Sequence, residues 1–546
     1  MDARRPRCLE LGLFLVIVAL PLAVTPFTTG PFADAKIVLL GLGALLVWLG
    51  GVPIDRRLAA IAAAWVGVTI VAAVAGVDPA AGLVASASGQ GGGVFLAICS
   101  AVLLVCGTGL PRELVARVRG WFVWTGAAVS CLLLLHRLAP EVLENAVPKV
   151  SFIGATLGNQ LFAAGFLAAA MAAAAVDDGP VRRRLVLLAL MTAAVTSTGE
   201  RSSLLLPIVA LGVTWWRAGG GWRTAAPAAA VVLGTFALWL AVQPILPGEP
   251  PRESAIQQLA APATDPGRFV VWRVTAEAWL DRPILGWGPG TTMSAYLHTA
   301  TPDEVDSAAR GWRDAHDLFL EAGVSTGVLG VVALAALLGI AAARSLRAPP
   351  ERAWAVGAAA SLGASALVEP MNLVLTPLLF LCAGIVARPH PEPTRAVASV
   401  PVGWGRRAAG ALVTAALGVC VAIGTLAFAA STFERQGTDY GERGALRTAL
   451  RLQPWRLSAR QELAIQLAAA ARAGDEAAAA EAETTIGAGV RDRPWDPDVR
   501  IFAARVATLL NDPDASAAWL RAQLARFPGD RTWVSGTVGG EDVTGS

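Results

Sequence analysis

Lysine, tyrosine and histidine are scarce in this chain: two, two and four residues among 546. With lysine reduced to Lys36 and Lys149, almost all positive charge is arginine, and the formal net charge is only +3. No nucleic-acid surface is indicated by that balance. Charged residues make up 16%, against about 25% in an average soluble domain, so the chain cannot cover a water-facing surface of its size. The histidines show neither HxxxH nor HExxH spacing, which argues against a histidine-built metal site. Six cysteines (Cys8, Cys99, Cys106, Cys131, Cys382, Cys420) show no CxxC pairing and mostly lie in apolar runs, where they read as small packing residues.

What the chain does have is hydrophobic residues, at 55%, arranged in long runs. A bilayer core of about 30 Å needs roughly 20 apolar residues in helix. With that window, spans fall near 9–27, 37–54, 58–77, 92–110, 118–136, 160–176, 185–199, 203–216, 225–243, 318–343, 353–369, 373–387 and 409–431. The chain therefore reads as an all-α, polytopic α-helical membrane protein of about 12–13 spans. The first run follows Arg4, Arg5 and Arg7 as a signal peptide would, but no small-residue cleavage site comes after it, so it is kept as a span.

Arginine placement orients the spans, because positive residues in short loops stay cytoplasmic. Loops of one parity carry twenty arginines; those of the other carry only Lys36, Arg137, Lys149 and Arg201. The N-terminus is then inside, and an odd span count puts the C-terminal region outside. The expected domains are an N-terminal membrane region 1–243, an extracytoplasmic loop 244–316 and a second membrane region 317–431. An extracytoplasmic helical domain 432–535 and a disordered tail 536–546 follow. Pro244, Pro247, Pro250 and Pro251 mark the exit into the loop. From Arg268 to Leu280 apolar residues recur at helical spacing, predicting an interfacial helix with its tryptophans at headgroup depth. In 432–535, Pro454-Trp455 and Pro494-Trp495 recur at a 40-residue interval and Pro528 follows, a spacing that suggests tetratricopeptide-like helix pairs with a concave surface for a protein or glycan partner.

Ionisable residues are nearly missing from the middle of the spans, which disfavours a cation-coupled transporter. They collect at the outward edge instead. Thr198-Gly199-Glu200-Arg201-Ser202-Ser203 joins the seventh and eighth spans, and Asp265-Pro266-Gly267-Arg268 opens the loop helix. Leu285-Gly286-Trp287-Gly288-Pro289-Gly290 follows it, and Arg313-Asp314-Ala315-His316-Asp317 leads into the tenth span. By parity, Arg201 and His316 lie on the same side. A guanidinium binds phosphate oxygens in a two-pronged fashion at every relevant pH, so Arg201 and Arg268 suit the neutralisation of a diphosphate leaving group. An imidazole titrates near neutrality and can take a proton from a sugar hydroxyl, which makes His316 the candidate catalytic base. Gly286 and Gly288 permit a tight backbone beside a headgroup or sugar, and Arg313 is a further candidate for substrate binding. Such a set would transfer a glycan from a polyprenyl diphosphate carrier, with no metal and no cofactor.

Taken singly, each residue has a plainer role. Arg201 reads as a headgroup-pairing residue, Arg268 as a first-turn charge, His316 as a satisfied helix-start residue and Gly286 to Gly290 as a turn. Arg273, Arg282, Arg310, Arg313 and His298 can attract anionic lipid.

At these residues the sequence resembles the O-antigen ligase and polysaccharide polymerase superfamily of bacterial envelopes. The resemblance rests on Gly267-Arg268 with Trp272, on Arg282-Pro283-Ile284-Leu285-Gly286-Trp287-Gly288-Pro289-Gly290, on Ala315-His316-Asp317-Leu318-Phe319-Leu320-Glu321 and on Gly327-Val328-Leu329-Gly330. Lys36, Gly154 to Asn159 and Ser197 to Ser203 agree, so that it covers roughly residues 10–390. It implies a metal-independent glycosyltransferase of the bacterial inner membrane, acting at its outer face on an undecaprenyl-diphosphate-linked glycan. Arg201 and Arg268 would hold the donor diphosphate, and His316 would activate the acceptor. Two residues depart from the pattern. Asp317 stands where the family usually has Asn, placing a negative charge beside the base, and Gln90 stands where many members have Arg.

The leading expectation is thus an O-antigen ligase-like enzyme whose acceptor is lipid A core, a glycan or a protein. A polymerase of the same superfamily is the alternative, and a lipid-linked glycan flippase or a non-catalytic scaffold stands behind both. The expected partners are the lipid-linked donor, the acceptor, membrane lipids and a protein at the helical tail, with no nucleic acid.

Overall fold

The computed structural model describes residues 4–84, 93–147, 150, 152, 154–219, 222–242, 266–308, 312–369, 372–388, 404–531 and 534. Gln90, the prolines 244–251, Asp265 and the tail 536–546 lie outside them. Helix α1 (Arg4–Phe14) continues through a π turn, Leu15–Ala19, to Leu20–Leu22. It is followed by α2 (Asp34–Leu49), α3 (Arg56–Ala75), α4 (Pro79–Val84), α5 (Val94–Gly107), α6 (Arg112–Leu138), α7 (Pro140–Ala146), α8 (Gln160–Ala175), α9 (Val181–Ser197), α10 (Arg201–Ala218) and α11 (Trp222–Val242). Then come α12 (Pro266–Asp281), α13 (Thr292–Thr299), α14 (Pro302–Ala308), α15 (Leu318–Ser345), α16 (Ala353–Ala366), α17 (Leu375–Val386) and α18 (Trp404–Tyr440). Five further helices close the chain: α19 (Arg443–Leu452), α20 (Leu457–Arg472), α21 (Glu476–Asp492), α22 (Val499–Leu509) and α23 (Pro513–Arg526). Each of the thirteen sequence-predicted spans falls on one of these helices, and among the described residues no strand is formed.

This is a multi-pass membrane protein. The segments Arg56–Ala75, Arg112–Leu138, Ala225–Val242, Leu318–Ser345 and Arg407–Tyr440 are each long and apolar enough to cross a bilayer. Leu233, Leu238, Leu412 and Val419 are exposed on two of them, as a lipid-facing surface requires. At the centre stands α8, whose residues from Phe162 to Ala175 are all buried. Its alanines let neighbouring helices approach closely, the packing mode that replaces hydrophobic drive in lipid. The same device joins α5 to α17, where a Cβ on Gly384 would lie 2.1 Å from the Leu104 carbonyl oxygen.

One end of the bundle is ringed by arginines that donate to carbonyls at helix C-termini. Arg344 reaches Ala387 O at 2.7 Å, Arg388 reaches Leu110 O at 2.6 Å, Arg119 reaches Val176 O at 3.0 Å and Arg217 reaches Ala348 O at 2.5 Å. Unpaired carbonyls and the negative end of the helix dipole both favour a cation there. These are the arginines of the majority parity.

The segment 266–308 and helices α19 to α23 meet on each other away from that ring. Phe527 packs into one core with Val271, Val274, Tyr296 and Val305. Trp495 makes edge contacts with Trp287, His298 and Phe527 at centroid distances of 5.6, 5.5 and 6.2 Å. Arg493 pairs with buried Asp78 at 2.7 Å, Ser294 donates to Trp495 O at 2.7 Å, and His298 Nδ1 lies 2.7 Å from Arg526 O. Within 443–526 the 40-residue interval appears as a repeated joint, with Arg460 donating to Pro454 O at 2.5 Å and Arg500 to Pro494 O at 2.9 Å. The boundary placed at 431/432 falls inside the single rod α18.

Candidate functional site

The corner 312–317 is shaped by its aspartates. Asp314 is 2% exposed, and its Oδ1 accepts from the His316 backbone N–H at 2.9 Å while lying 2.5 Å from His316 Nδ1. The Asp314 main-chain oxygen also lies 3.4 Å from Nδ1, so Asp314 faces both the turn and one ring nitrogen, and the other nitrogen, Nε2, is not engaged by it. His316 itself has a φ of 49°, a left-handed conformation that few residues other than glycine adopt and that tends to mark functional positions. Trp312 stands edge-on to the imidazole at 4.6 Å. The site reading from sequence put Asp317 beside the base. In the structure Asp317 turns away as the N-cap of α15, accepting from Phe319 N at 2.9 Å and Leu320 N at 2.8 Å. Asp314 is the residue that sequence reasoning missed, although its D-x-H spacing is that of a side chain reaching the backbone two residues on.

Buried Glu321, in the first turn of α15, braces the corner from below. It accepts from Ala315 N at 2.9 Å, Thr292 Oγ1 at 2.8 Å and Ser325 Oγ at 3.1 Å. All its partners are donors, so the buried carboxylate is satisfied without a cation.

Arg268 lies in the first turn of α12. One turn further on, Trp272 shares its face and donates from Nε1 to Ala315 O at 3.0 Å, which ties that face to the residue before His316. On its other side the Arg268 guanidinium acts electrostatically on Glu200 and on Glu369. Burial pushes the Glu200 carboxyl above its ordinary value, and the Arg268 charge opposes that rise. Arg268 Nε is buried and has no hydrogen-bond partner among the described residues. Glu200 is the N-cap residue of α10 and Arg201 its first residue, at the positive end of the helix dipole; the Arg201 side chain lies outside the described residues. The structure therefore brings Glu200, Glu369, Arg268 and the His316 corner to one region.

The other candidates sit elsewhere. Gly286 and Gly288, at φ of 69° and 108°, are filled in by backbone rather than open to a ligand. A Cβ on Gly286 would lie 2.4 Å from Val324 O, and one on Gly288 3.1 Å from the Gly76 Cα. This strip bonds across α15, Trp287 N to Val324 O at 2.7 Å and Val328 N to Pro283 O at 2.8 Å, where α15 is broken at Gly327 (φ 65°, ψ −168°). Its role here is to join α3, α12 and α15. Trp279 packs on Gly323, and both it and Trp272 donate to main-chain carbonyls. The tryptophans expected at headgroup depth thus hold protein, and Phe269 and Leu280 are the exposed apolar residues of α12. Arg313 is exposed and lines a cavity shared with the 443–526 helices. Lys36 is buried, donates to Thr156 O, and lines a separate cavity of about 390 Å³ with Asn159, Asn372 and Glu434.

No curated protein matches the chain. Residues 186–335, which run from α9 into α15 and hold Glu200, Arg201, Arg268, Asp314 and His316, match the family described as O-Antigen ligase. That match supports a membrane glycan-transfer enzyme of the O-antigen ligase superfamily.

Proposed function

We propose that the protein is an O-antigen ligase-like glycosyltransferase that moves a glycan from a polyprenyl diphosphate, such as undecaprenyl diphosphate, to an acceptor hydroxyl without a metal. The observation that carries this reading is the buried Asp314 holding His316 Nδ1 at 2.5 Å. That contact fixes the ring and leaves Nε2 as the proton acceptor. The acceptor oxygen attacks the anomeric carbon of the donor's first sugar, and its proton passes to Nε2. The bond from that carbon to the diphosphate oxygen breaks, and the polyprenyl diphosphate leaves with the electron pair. Arg268, with its uncommitted Nε, and Arg201 at the start of α10 offset the charge that develops there. Among the described residues no three histidine, cysteine or acidic side chains cluster as metal ligands do.

The arginine-ringed end of the bundle is the cytoplasmic face by the positive-inside rule, so the site and the helices 443–526 stand at the outer face of the inner membrane. Lipid A core, a growing glycan or a protein hydroxyl all suit the chemistry; with a growing glycan the same step is polymerisation. The test is transfer by the purified protein from lipid-linked glycan to added acceptor, with and without chelator. Transfer that persists in chelator and disappears in His316→Ala is expected. Transfer that survives His316→Ala, or that chelator abolishes, overturns the reading.

A further inference from the structure

A cavity of about 260 Å³ lies where the segment 290–313 faces α20 and the 493–498 turn. Its lining mixes charges of both signs: Arg313, Arg456 and Arg493 stand against Asp34, Asp78, Asp496 and Asp498. Most are already committed to one another. Arg493 pairs with Asp78 at 2.7 Å and with Asp496 at 3.3 Å, and Arg456 is bound to Glu434, to Gln453 at 3.0 Å and to Thr29 at 3.0 Å. The cavity therefore carries no large field of one sign, which makes it a poor seat for a diphosphate or another polyanion. Of the larger lining side chains, three remain available. The Trp455 ring is 38% exposed, and the side chains of Arg313 and Gln461 have no partner among the described residues.

An aromatic face beside an uncommitted guanidinium and an amide suits a ligand with an apolar side and a rim of hydroxyls. We propose that this cavity is the acceptor subsite and that it holds the saccharide portion of the acceptor, an uncharged, hydroxyl-rich chain stacked on Trp455. The proposal rests on the transfer reading above and names its acceptor-binding surface. Arg313 is three residues before His316, so a chain seated here ends beside the proposed base. The helical tail is then part of the enzyme's substrate surface, completed by its docking on 266–308.

The test is calorimetric titration of the full-length protein in detergent with the lipid-free oligosaccharides released by mild acid from envelopes of cells that make it. Wild type should bind saturably, Trp455→Ala and Gln461→Ala at least tenfold more weakly, and Trp455→Phe within threefold. Thermal melts identify any variant that has not folded, and Gln461→Ala serves if Trp455→Ala fails that check. Absence of saturable binding in wild type, unchanged affinity in the folded variants, or displacement by inorganic pyrophosphate overturns the proposal. The two readings fail separately: transfer that survives His316→Ala removes the mechanism, whereas binding indifferent to Trp455 and Gln461 removes only the subsite.

Discussion

Asp314 Oδ1 lies 2.5 Å from His316 Nδ1 while also accepting the His316 backbone N–H, so a single carboxylate sets both the position of the candidate base and the orientation of its ring. Replacing it with an amide keeps the shape and removes the charge. Asp314→Asn should lower kcat for transfer about 100-fold or more, the range general-base catalysis contributes. Asp317→Asn should stay within about twofold, because Asn caps a helix nearly as well as Asp. Equal losses in the two variants would show that the Asp314 contact is not what positions the base.

Arg268 is the second element open to direct test. Arg268→Ala should cost about 100-fold or more in transfer, as loss of a preorganised charge at a leaving group does, with the donor KM raised. Arg268→Lys should recover only part of that, since an ammonium cannot reproduce the fork of a guanidinium. Full recovery by lysine would mean that charge alone matters there.

The break in α15 gives a prediction about stability. Gly286→Ala meets Val324 O at 2.4 Å and forces a side chain onto a φ of 69°, the backbone strain alone costing about 1–3 kcal/mol. The variant should melt well below wild type or fail to accumulate. Gly67→Ala, on α3 with nothing near its Cβ position, should be neutral or slightly stabilising by helix propensity. Detergent-solubilised thermal melts separate the two.

At the opposite end of the bundle Asp55 caps α3 through Arg57 N and Leu58 N and pairs with Arg344 at 2.6 Å. Burial raises its carboxyl, but the Leu58 N–H and Arg344 outweigh burial and hold it below its ordinary value of 3.8. A depressed carboxylate stabilises the fold above its unfolded-state value, and that contribution is lost as the pH falls through the folded-state value. Asp55→Ala should therefore cost about 1 kcal/mol at neutral pH from the lost cap alone. The gap to wild type should stay level from pH 7 to 5 and narrow below 3.8. A gap that widens towards acid contradicts this assignment.

Docking of the helical tail can be probed at Trp495. Trp495→Ala removes edge contacts with Trp287, His298 and Phe527, each of about 0.5–1.5 kcal/mol, together with the stack under Arg526. Limited proteolysis should then cut between 440 and 457 faster than in wild type.

The helices were readable because lipid imposes one rule along the whole chain: roughly 20 apolar residues, then a turn with arginine on one side. Even the short seventh and eighth spans fall on α9 and α10. Arg268 and His316 became candidates because few polar groups stand at span ends, so those that do are conspicuous. Contacts decided by approach rather than by periodicity were not. Gly286 and Gly288 suggest a ligand turn in sequence, and only the carbonyl of Val324 and the backbone at Gly76 show what fills that space. Asp314 and Asp317 flank the same histidine, and which one turns towards it depends on the start of α15. Glu321 stood in the motif without a role, because its three donors come from positions 292, 315 and 325, far apart in any linear pattern.

His298 and Arg526, joined through a ring nitrogen and a main-chain carbonyl, are 228 positions apart. The ribosome therefore makes α13 long before the residues that will cover it, and Tyr296, Leu297 and Val305 stay uncapped until Phe527 arrives. During that interval the nascent chain carries an apolar face on its loop segment. Assembly of this half of the molecule consequently waits for the tail, and chains cut short before Trp495 would present that face to chaperones and proteases.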